Sequence, residues 1–349
     1  MMIPPVHAWD AFLESTPRGQ FQQASGWARV KAEEGWQALR LGLAAETGPS
    51  WGAQILWKET RFGRVGYVSK GPVLAEESPA AIATALTHLR QAARQLGLRA
   101  LVVQPPDESR ISAADLCRQG FSALPLPGVI SATALVDLRG GPAAFEARMN
   151  RRTRQEARQA VKRGVTVRWG TRADLPLFFE LMRGSCRRQN TTPNPGRVEI
   201  LEALWDAFPG RIQIGFAQVQ EEAVASLFLI GFGPRCTFWK KGWNSQEAAR
   251  HANCLLNVAA LRRAADQGYR FVDFGALDRP LAETLLAGRS PTPAQQQSRH
   301  TFNLRLGAQP KLLPPAQLLV LNPVLRGMAN VSSRCRPLGR WLFRALSPG

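Results

Sequence analysis

Two similar series of strands and helices follow one another along this chain of 349 residues, on either side of the turn-forming segment Arg139-Gly140-Gly141-Pro142. Each series has a group of short β-rich segments, then a long helix, then one further strand. The first series occupies 37–68, 78–96 and 100–104, and the second occupies 211–241, 248–267 and 271–274. Strands and helices mixed in this way, without strict alternation, predict a mixed α/β (α+β) fold built twice, each copy a twisted mixed sheet flanked by helices.

Several classes of protein are excluded by simple features of the chain. No apolar run reaches the roughly 18–20 residues that a membrane span needs, and the first residues lack the basic and apolar regions of a signal peptide. The five cysteines are odd in number and widely spaced, which argues against a disulfide framework and against a CxxC metal site. We therefore expect a cytoplasmic protein without a structural metal.

The chain is strongly basic, with 45 Lys+Arg against 26 Asp+Glu and a net charge of +19, which suggests a polyanionic partner. Ten basic residues and two acidic ones lie between Arg139 and Arg172, where we expect a helix over 142–163. Five basic side chains share one face of that helix: Arg148, Arg151, Arg152, Arg158 and Lys162. This face is either an ordinary solvated surface or a contact with the phosphates of a nucleic acid.

The last 66 residues contain nine basic residues and no acidic one. Within them, the segment 325–344 mixes basic with apolar side chains and is interrupted by Pro337 and Gly339. Such a segment either lies on anionic lipid, as a peripheral contact with the inner face of the membrane, or closes a domain with its apolar side.

The motifs of several large enzyme classes are missing from the sequence. It has no P-loop, HExxH, GxSxG or GxGxxG, and its four histidines are too dispersed to suggest a metal cluster. A pattern typical of acyl-CoA-binding loops occurs at 23–28, but not between a central strand and a helix, so we interpret it as a coincidence. His300 is a candidate general base, although surface or structural histidines are commoner.

Five short strings carry a more specific signal, in order from residue 21 to residue 307. They are FQQASGWARVK followed by GW at 21–36, YVSKGPVL at 67–74, VKRGV at 161–165, FWKKGW at 238–243 with GYRFVDFG at 268–275, and FNLRLG at 302–307. Each string alone is a weak signal. Together they resemble the FemABX family of non-ribosomal peptidyltransferases, which add amino acids from aminoacyl-tRNA to peptidoglycan precursors.

The resemblance implies two tandem domains of acetyltransferase-like (GNAT) fold, the first at 1–140 plus the returning tail 312–349 and the second at 141–311. It implies an aminoacyltransferase of cell-wall bridge synthesis, with aminoacyl-tRNA as co-substrate and no other cofactor. The acceptor would be a stem-peptide amine of UDP-MurNAc-pentapeptide or of lipid II. Two alternatives stay open: an acyl-CoA-dependent N-acyltransferase of polysaccharide or cell-surface assembly, and a non-enzymatic protein that binds nucleic acid or membrane.

The resemblance also gives candidate residues for substrate binding. It implies that Lys31 binds a substrate phosphate, the alternative being a solvated helix end. Lys70, just after a strand and before Gly-Pro, either lines the same cleft or is only a turn residue, and Lys240 is a further candidate for substrate contact. Asn194 stands where some members place an arginine on the pyrophosphate, and Arg197 would compensate.

The FNLRLG string is where the sequence departs from the family pattern FKxxFG. Asn303, beside Phe302, replaces the lysine that is expected to support the reacting carbonyl. Asparagine still donates a hydrogen bond but supplies no charge. We expect Arg305 to substitute for that charge, two residues away on the same face of a strand. An aminoacyl ester is already activated, so the enzyme needs to orient the substrates more than it needs a nucleophilic side chain. With aminoacyl-tRNA as co-substrate, the basic helix face is assigned to tRNA binding.

Overall fold

The structure of the protein is a computed structural model that describes residues 5–45, 48–61, 63–123, 129–244, 250–298 and 300–322. The described residues divide into two compact units, one formed by residues up to 131 together with 313–322 and the other by residues 132–312. The basic C-terminal segment at 325–344 lies outside the described residues. In the part of the chain that is described, no helix is both long enough and apolar enough to cross a membrane.

The first unit is built on one mixed sheet of seven strands. The strands are β1 Gln37–Ala45, β2 Gly48–Lys58, β3 Val65–Ser69, β4 Val73–Leu74, β5 Ala100–Gln104, β6 Ser122–Ala123 and β14 Gln317–Val320. The helices are α1 Val6–Ser15, α2 Ser25–Ala32, α3 Pro79–Gln95 and α4 Ala113–Arg118. The strand order is β1-β2-β3-β5-β14-β6, with β4 paired to β2 and with β3 parallel to β5. Strand β14 therefore lies inside the sheet, between β5 and β6.

Helix α3 confirms the helix predicted over 78–96 and shows the local causes of its ends. Ser78 accepts the backbone N–H of Ala81 at 3.2 Å, and Pro79 takes a first-turn position where no N–H is needed. The helix stops before Gly97, whose φ of +66° suits glycine. Its buried side chains recur at helical spacing and face the core: Ile82, Ala85, Leu86, Leu89, Ala92 and Ala93.

The second unit holds another mixed sheet of seven strands, in the order β13-β7-β12-β11-β10-β9-β8. The strands are β7 Ala132–Asp137, β8 Val165–Trp169, β9 Ile212–Val219, β10 Glu222–Phe232, β11 Arg235–Trp243, β12 Phe271–Ala276 and β13 Gln309–Leu312. The helices are α5 Gly141–Arg148, α6 Arg151–Lys162, α7 Leu175–Arg188, α8 Val198–Ala207, α9 Ala252–Asp266, α10 Arg279–Leu286, α11 Pro293–Gln296 and α12 Thr301–Arg305. Strands β9, β10 and β11 form the predicted meander, and α9 connects β11 to the parallel strand β12.

Strand β7 belongs to the second sheet, although the sequence analysis places it in the first domain. It pairs with β12 and β13. The N–H of Leu277 also donates to the carbonyl of Ala132 at 2.9 Å, which ties the start of β7 to the second unit. The turn at Gly140 is therefore internal to the second unit, and the units meet in sequence between residues 131 and 132 rather than at 140.

The basic segment forms two helices rather than the single predicted helix. Helix α5 ends at Arg148, Met149 has an extended backbone, and α6 begins at Arg151. Asn150 causes the break, because its side-chain oxygen accepts the N–H of Arg152 at 2.8 Å and caps α6. Arg148 consequently lies on a different helix from the other four basic residues of the predicted face.

Candidate functional site

The centre of the second sheet opens where β11 and β12 stop pairing. Thr237 and Asp273 are the last paired residues of these two parallel strands. Beyond them β11 continues along β10 to Trp243, whereas β12 ends at Ala276. The residues that follow Thr237 on β11 therefore have no backbone pairing with β12.

A β-bulge sets the direction of the side chains in this part of β11. The pairing with β10 shifts between Phe238 and Lys240, which leaves Trp239 as the extra residue. A bulge bends its strand and re-aims the side chains around it. The ammonium of Lys240 lies 4.9 Å from the centroid of the Trp239 ring, whereas the next lysine, Lys241, reaches other elements of the unit.

The end of the Lys241 side chain meets four other side chains, and the five together are termed here the Lys241 cluster: Lys241, Asn257, Phe274, Phe302 and Asn303. Lys241 Nζ donates to Asn257 Oδ1 and to Asn303 Oδ1, both at 3.0 Å. The ring centroids of Phe274 and Phe302 lie 4.9 Å and 5.4 Å from Nζ. The cluster thus joins β11, β12, α9 and α12.

The amide of Asn257 is held in one orientation by its own helix. Its Nδ2 donates to the Asn253 carbonyl at 2.8 Å and to Asn253 Oδ1 at 2.9 Å. Asn257 is fully buried. Because Nδ2 is engaged in this way, Oδ1 is the atom turned towards Lys241, and it can only accept a hydrogen bond.

The amino group of Lys241 is surrounded by protein and has no carboxylate partner among the described residues. Lys241 as a residue is partly buried. Desolvation of the charged form lowers the pKa of Lys241 to about 7. A lysine with such a pKa exchanges its proton near neutral pH, which is a property typical of functional amines.

Replacing Lys241 by methionine is expected to flatten the pH dependence of stability on the alkaline side. Between pH 7 and the pKa of an unfolded lysine, the unfolded chain holds a proton at Lys241 that the folded chain does not. The free energy of unfolding of the wild type therefore rises with pH, by about 1.4 kcal/mol per pH unit relative to Lys241→Met. Urea unfolding of both proteins at pH 7.5, 8.5 and 9.5 measures the difference, with Lys162→Met as the exposed-lysine control; parallel curves would contradict the expectation.

Arg305 does not lie beside Asn303 in the way that the sequence predicts. Residues 301–305 form helix α12, not a strand. Residues two apart on a helix point about 200° apart, so they do not share a face. The guanidinium of Arg305 instead pairs with Glu156 Oε2 on α6, at 2.5 Å. The amino group beside Asn303 is supplied by Lys241.

Glu156 connects the basic helix α6 to the helix that carries Phe302 and Asn303. Its other oxygen, Oε1, accepts from Arg152 Nε at 2.9 Å. The N–H of Asn150, at the start of α6, donates to the Arg305 carbonyl at 3.0 Å. Glu156 is buried, and its one carboxylate holds the exposed Arg152 and the partly buried Arg305.

The predicted tRNA-binding face is smaller than the sequence implies. Arg148 donates to the Asp137 carbonyl and Arg152 to Glu156. Arg151, Arg158 and Lys162 are exposed, and within the described ranges they form no ion pair. Their spacing of seven and four residues places them in one stripe along α6, which is termed here the α6 stripe.

The first unit contains the predicted phosphate-binding residue Lys31, at the end of α2. Its ammonium pairs with Glu34 and lies 5.5 Å from the centroid of the Trp27 ring. Lys58 lies nearby, with its ammonium 4.6 Å from the Trp36 ring, and both desolvation and the positive charge of Lys31 lower the pKa of Lys58. Two cations and two indole rings therefore lie together in this unit.

Lys70 is a turn residue held in a buried ion pair. Its Nζ lies 2.8 Å from Asp107 Oδ1, both side chains are buried, and its backbone φ is +55°. These contacts support the second of the two predicted roles of Lys70, that of a turn residue.

The remaining predicted residues lie outside the Lys241 cluster. Asn194 and Arg197 are exposed, on the segment that leads into α8. Neither residue, nor Lys240, takes part in the contacts of the cluster. Among the described residues, no group of three or more His, Cys, Asp or Glu side chains could hold a metal ion.

Lys241, Asn257 and Phe274 are the members of the Lys241 cluster that the sequence analysis missed. Lys241 follows Lys240 directly, and a regular strand would turn the two side chains to opposite faces. The pair of lysines at the end of an apolar strand therefore indicated that one of them points into the second unit, but the sequence did not show which one.

Comparison with known proteins gives two family matches in the same order as the two units. Residues 5–116 match the model of the FemAB family, and residues 147–281 match the model of an acetyltransferase (GNAT) domain. The lipid II:glycine glycyltransferase of Staphylococcus saprophyticus is 25% identical over 240 residues, which is 65% of this chain and 55% of that protein. The enzyme of the same name from Staphylococcus aureus MRSA252 is 25% identical over 238 residues, with 65% and 53% covered. The chain thus spans about half the length of these curated relatives.

Solved structures with the same fold support both units. The crystal structure of FemX superposes with a TM-score of 0.77 at 18% identity, covering 94% of this chain and 98% of FemX. A tandem GNAT protein from the clavulanic acid biosynthesis pathway superposes with a TM-score of 0.53 at 11% identity, covering 91% and 94%. The predicted fold class, two tandem acetyltransferase-like domains, is confirmed by these similarities together with the two mixed sheets.

Proposed function

Since the chain belongs to the FemABX family, we propose that it is an acyltransferase that moves an amino acid from aminoacyl-tRNA to a stem-peptide amine of a lipid-linked peptidoglycan precursor. The product would be an interpeptide bridge of the cell wall. The relatives named lipid II:glycine glycyltransferase support lipid II as the acceptor and glycine as the first amino acid to test. The reaction would take place where charged tRNA and the lipid-linked precursor meet, at the cytoplasmic face of the membrane.

The observation that carries this proposal is the link between the α6 stripe and the Lys241 cluster. The stripe is a set of exposed cations that form no ion pair with the residues the structure describes, and it suits the phosphates of an RNA backbone. Glu156 and Arg305 fasten α6 to α12, which carries two members of the cluster. An RNA bound along α6 would therefore be held against the helix that carries part of the candidate reaction site.

The chemistry of the cluster suits an activated ester. Transfer needs an uncharged amine brought to the ester carbonyl, and hydrogen-bond donors for the oxygen that becomes negative. The amide of Asn303 is a candidate donor for that oxygen, the amine of Lys241 lies 3.0 Å from Asn303 Oδ1, and the rings of Phe274 and Phe302 cover the amine. An ester already activated by tRNA makes a side-chain nucleophile unnecessary.

The first unit would bind the anionic part of the acceptor. The proposed phosphate contact is Lys31, with Lys58 as a second cation. Glu34 now pairs with Lys31, so a bound phosphate would have to displace that carboxylate. Contacts of Asn194, Arg197 and Lys240 with the precursor remain predictions of the same proposal.

The proposed function is tested by direct transfer with the purified protein. Transfer RNA charged with radiolabelled glycine, and then with a mixture of all amino acids, is incubated with lipid II or with UDP-MurNAc-pentapeptide. We expect label in lipid II, with a mass increase of one amino acid residue. Absence of transfer from every charged tRNA to both precursors would overturn the proposal, and acetylation of either precursor by acetyl-CoA would favour the acyl-CoA-dependent reaction instead.

Reversing two charges of the α6 stripe is expected to weaken tRNA binding. In Arg151→Glu/Arg158→Glu, two phosphate contacts are lost and the new carboxylates repel the phosphates. The dissociation constant for tRNA should therefore rise roughly tenfold or more at 0.1 M salt. The slope of log affinity against log salt should become shallower by about two. Filter binding with uncharged tRNA at several salt concentrations measures both quantities.

A double variant with the same change in net charge serves as the control for the α6 stripe. Arg172→Glu/Arg279→Glu alters two arginines that already pair with Asp206 and Glu283. Equal losses of affinity in the two double variants would show that net charge, and not the stripe, attracts the tRNA.

A further inference from the structure

We propose that Lys241 is the catalytic base that removes a proton from the acceptor amine before it attacks the aminoacyl ester. This inference rests on the proposed function and assigns a specific step to a residue of the Lys241 cluster. It follows from the contacts of Nζ, from the groups around it and from the proton balance of the reaction.

The hydrogen bonds of Lys241 fix where its lone pair must be. An uncharged lysine amine has two hydrogens and one lone pair, in a tetrahedral arrangement with the side-chain carbon. Both neighbours at 3.0 Å are oxygens that accept, Oδ1 of Asn257 and Oδ1 of Asn303. With one hydrogen directed to each oxygen, the remaining direction holds the lone pair. The two amide oxygens thus orient the uncharged amine for accepting a proton.

The surroundings leave much of this amine uncharged at neutral pH and most of it uncharged at mildly alkaline pH. Desolvation alone lowers the pKa of Lys241 to about 7, so a large share of Nζ is free base near neutrality. Charged groups on the packed elements pair elsewhere, as Asp273 of β12 does with Arg235 and Arg305 of α12 does with Glu156. The other ionisable groups on these elements are Cys236 and Lys240 of β11, Cys254, Arg262, Arg263 and Asp266 of α9, and His300 before α12.

The acceptor needs such a base because an alkyl ammonium has no lone pair with which to attack. The ordinary pKa of an alkyl ammonium is roughly 10.4, so it arrives protonated at neutral pH. A base whose pKa is near the working pH gives the best compromise between the fraction that is unprotonated and the strength with which it binds a proton. Lys241 meets this condition, whereas an ordinary exposed lysine would itself be protonated.

The step balances in protons and bonds. Lys241 Nζ takes one proton from the acceptor ammonium and becomes an ammonium. The freed lone pair forms the C–N bond to the ester carbonyl, and the carbonyl oxygen becomes negative. When this intermediate collapses, the C–O bond to the ribose breaks, and the ribose oxygen leaves with the second proton of the nitrogen. The ammonium of Lys241 then releases its proton to solvent.

The pH dependence of transfer by the full-length protein tests the proposal. Single-turnover rates with glycyl-tRNA and lipid II are measured from pH 5.5 to 8.5. For the wild type we expect the rate to rise about tenfold per pH unit below pH 7 and to level off above it, since only the free base is active. Lys241→Met should lose about 10²- to 10⁴-fold at pH 7.5 and show no levelling. Lys311→Met, on the edge strand β13, should retain the wild-type rate and profile.

A second variant keeps the test decisive if Lys241→Met does not fold. Asn303→Asp places a carboxylate next to Nζ, which favours the charged form and raises the pKa of Lys241. The levelling of the rate should therefore move to higher pH while the plateau persists, a change that a merely structural role would not produce. A wild-type rate that falls above pH 7, an unmoved profile in Asn303→Asp, or full activity in Lys241→Met would each overturn the proposal. If the wild type transfers nothing from any charged tRNA, the proposed function itself fails and the role of Lys241 fails with it.

Discussion

Replacing Asp273 by alanine is expected to lower the free energy of unfolding by about 3–5 kcal/mol, because it removes a buried carboxylate that pairs with the partly buried Arg235 and accepts two further hydrogen bonds. Asp273 Oδ2 lies 2.7 Å from Arg235 Nη1, and Oδ1 accepts the N–H of Gly275 at 2.8 Å and the hydroxyl of Thr133. Gly275 has a φ of +74°, so the carboxylate also holds the irregular backbone of β12 between its pairs with β7 at Asp273 and at Ala276. Urea unfolding at pH 7 measures the loss.

The control for Asp273→Ala is an ion pair of the same type on the surface. Asp206 pairs with Arg172 on the surface of the same unit, and both side chains are exposed. Asp206→Ala should therefore change stability much less, because solvent replaces the lost partner. Asp273→Asn, which keeps an oxygen for Gly275 but loses the charge, should lie between the two. Equal effects of Asp273→Ala and Asp206→Ala would contradict the structural role given to Asp273.

Adding one methyl group at Gly242 is the second change for which we expect a large loss, of about 3 kcal/mol or more. A Cβ at this position would lie 2.6 Å from the backbone of both Leu181 and Met182 on α7, and 2.7 Å from Ser226 Oγ. Backbone atoms of a packed helix do not move aside as a flexible side chain does. Gly242→Ala should therefore push α7 away from β11, directly after Lys241.

The matched control for Gly242→Ala lies on α7 itself. Gly184 is a helical glycine whose added Cβ would meet nothing closer than Arg188 Nη1 at 3.6 Å. Gly184→Ala should raise stability by up to about 1 kcal/mol, since alanine favours the helix over glycine. Thermal unfolding of both variants separates the steric effect at Gly242 from the higher helix propensity of alanine at Gly184. A similar change in stability in both variants would show that α7 does not pack on Gly242 as described.

Helix ends and buried helix faces could be predicted from the sequence where the residues that determine them are close together in the chain. The cap, the proline and the apolar spacing of α3 are contiguous in sequence, and the helix was predicted almost to the residue. The break before α6 was missed because the basic periodicity continues across Asn150. That asparagine is nevertheless a normal helix cap, so its capping role was a readable signal that competed with the charge pattern.

The candidate site was harder to predict because it depends on contacts between distant segments. Lys241 and Asn303 are 62 positions apart, and the bulge at Trp239 depends on how β10 pairs with β11. In FNLRLG the apolar residues alternate, as on a strand, but the segment is too short for this pattern to exclude a helix. The strand repeat of two residues places Arg305 on the same face as Asn303, and this is why the predicted position of Arg305 was wrong.

The departure at Asn303 gains a physical explanation from the structure. The sequence shows only that a lysine expected at this position is absent. In the structure the oxygen of Asn303 accepts a hydrogen bond from Lys241, so an amino group is still present at this point of the unit. Whether an amino group is available is therefore a property of the folded chain and not of position 303 alone.

The place of β14 inside the first sheet has a consequence for the order of folding during synthesis. The ribosome makes residues 132–312 of the second unit before it makes β14. Until then β5 has β3 on one side and an unpaired row of backbone groups on the other, although all five of its side chains are buried in the finished unit. Such an unpaired apolar strand readily joins another chain. The nascent protein must therefore protect β5 for the whole time that the second unit is being translated.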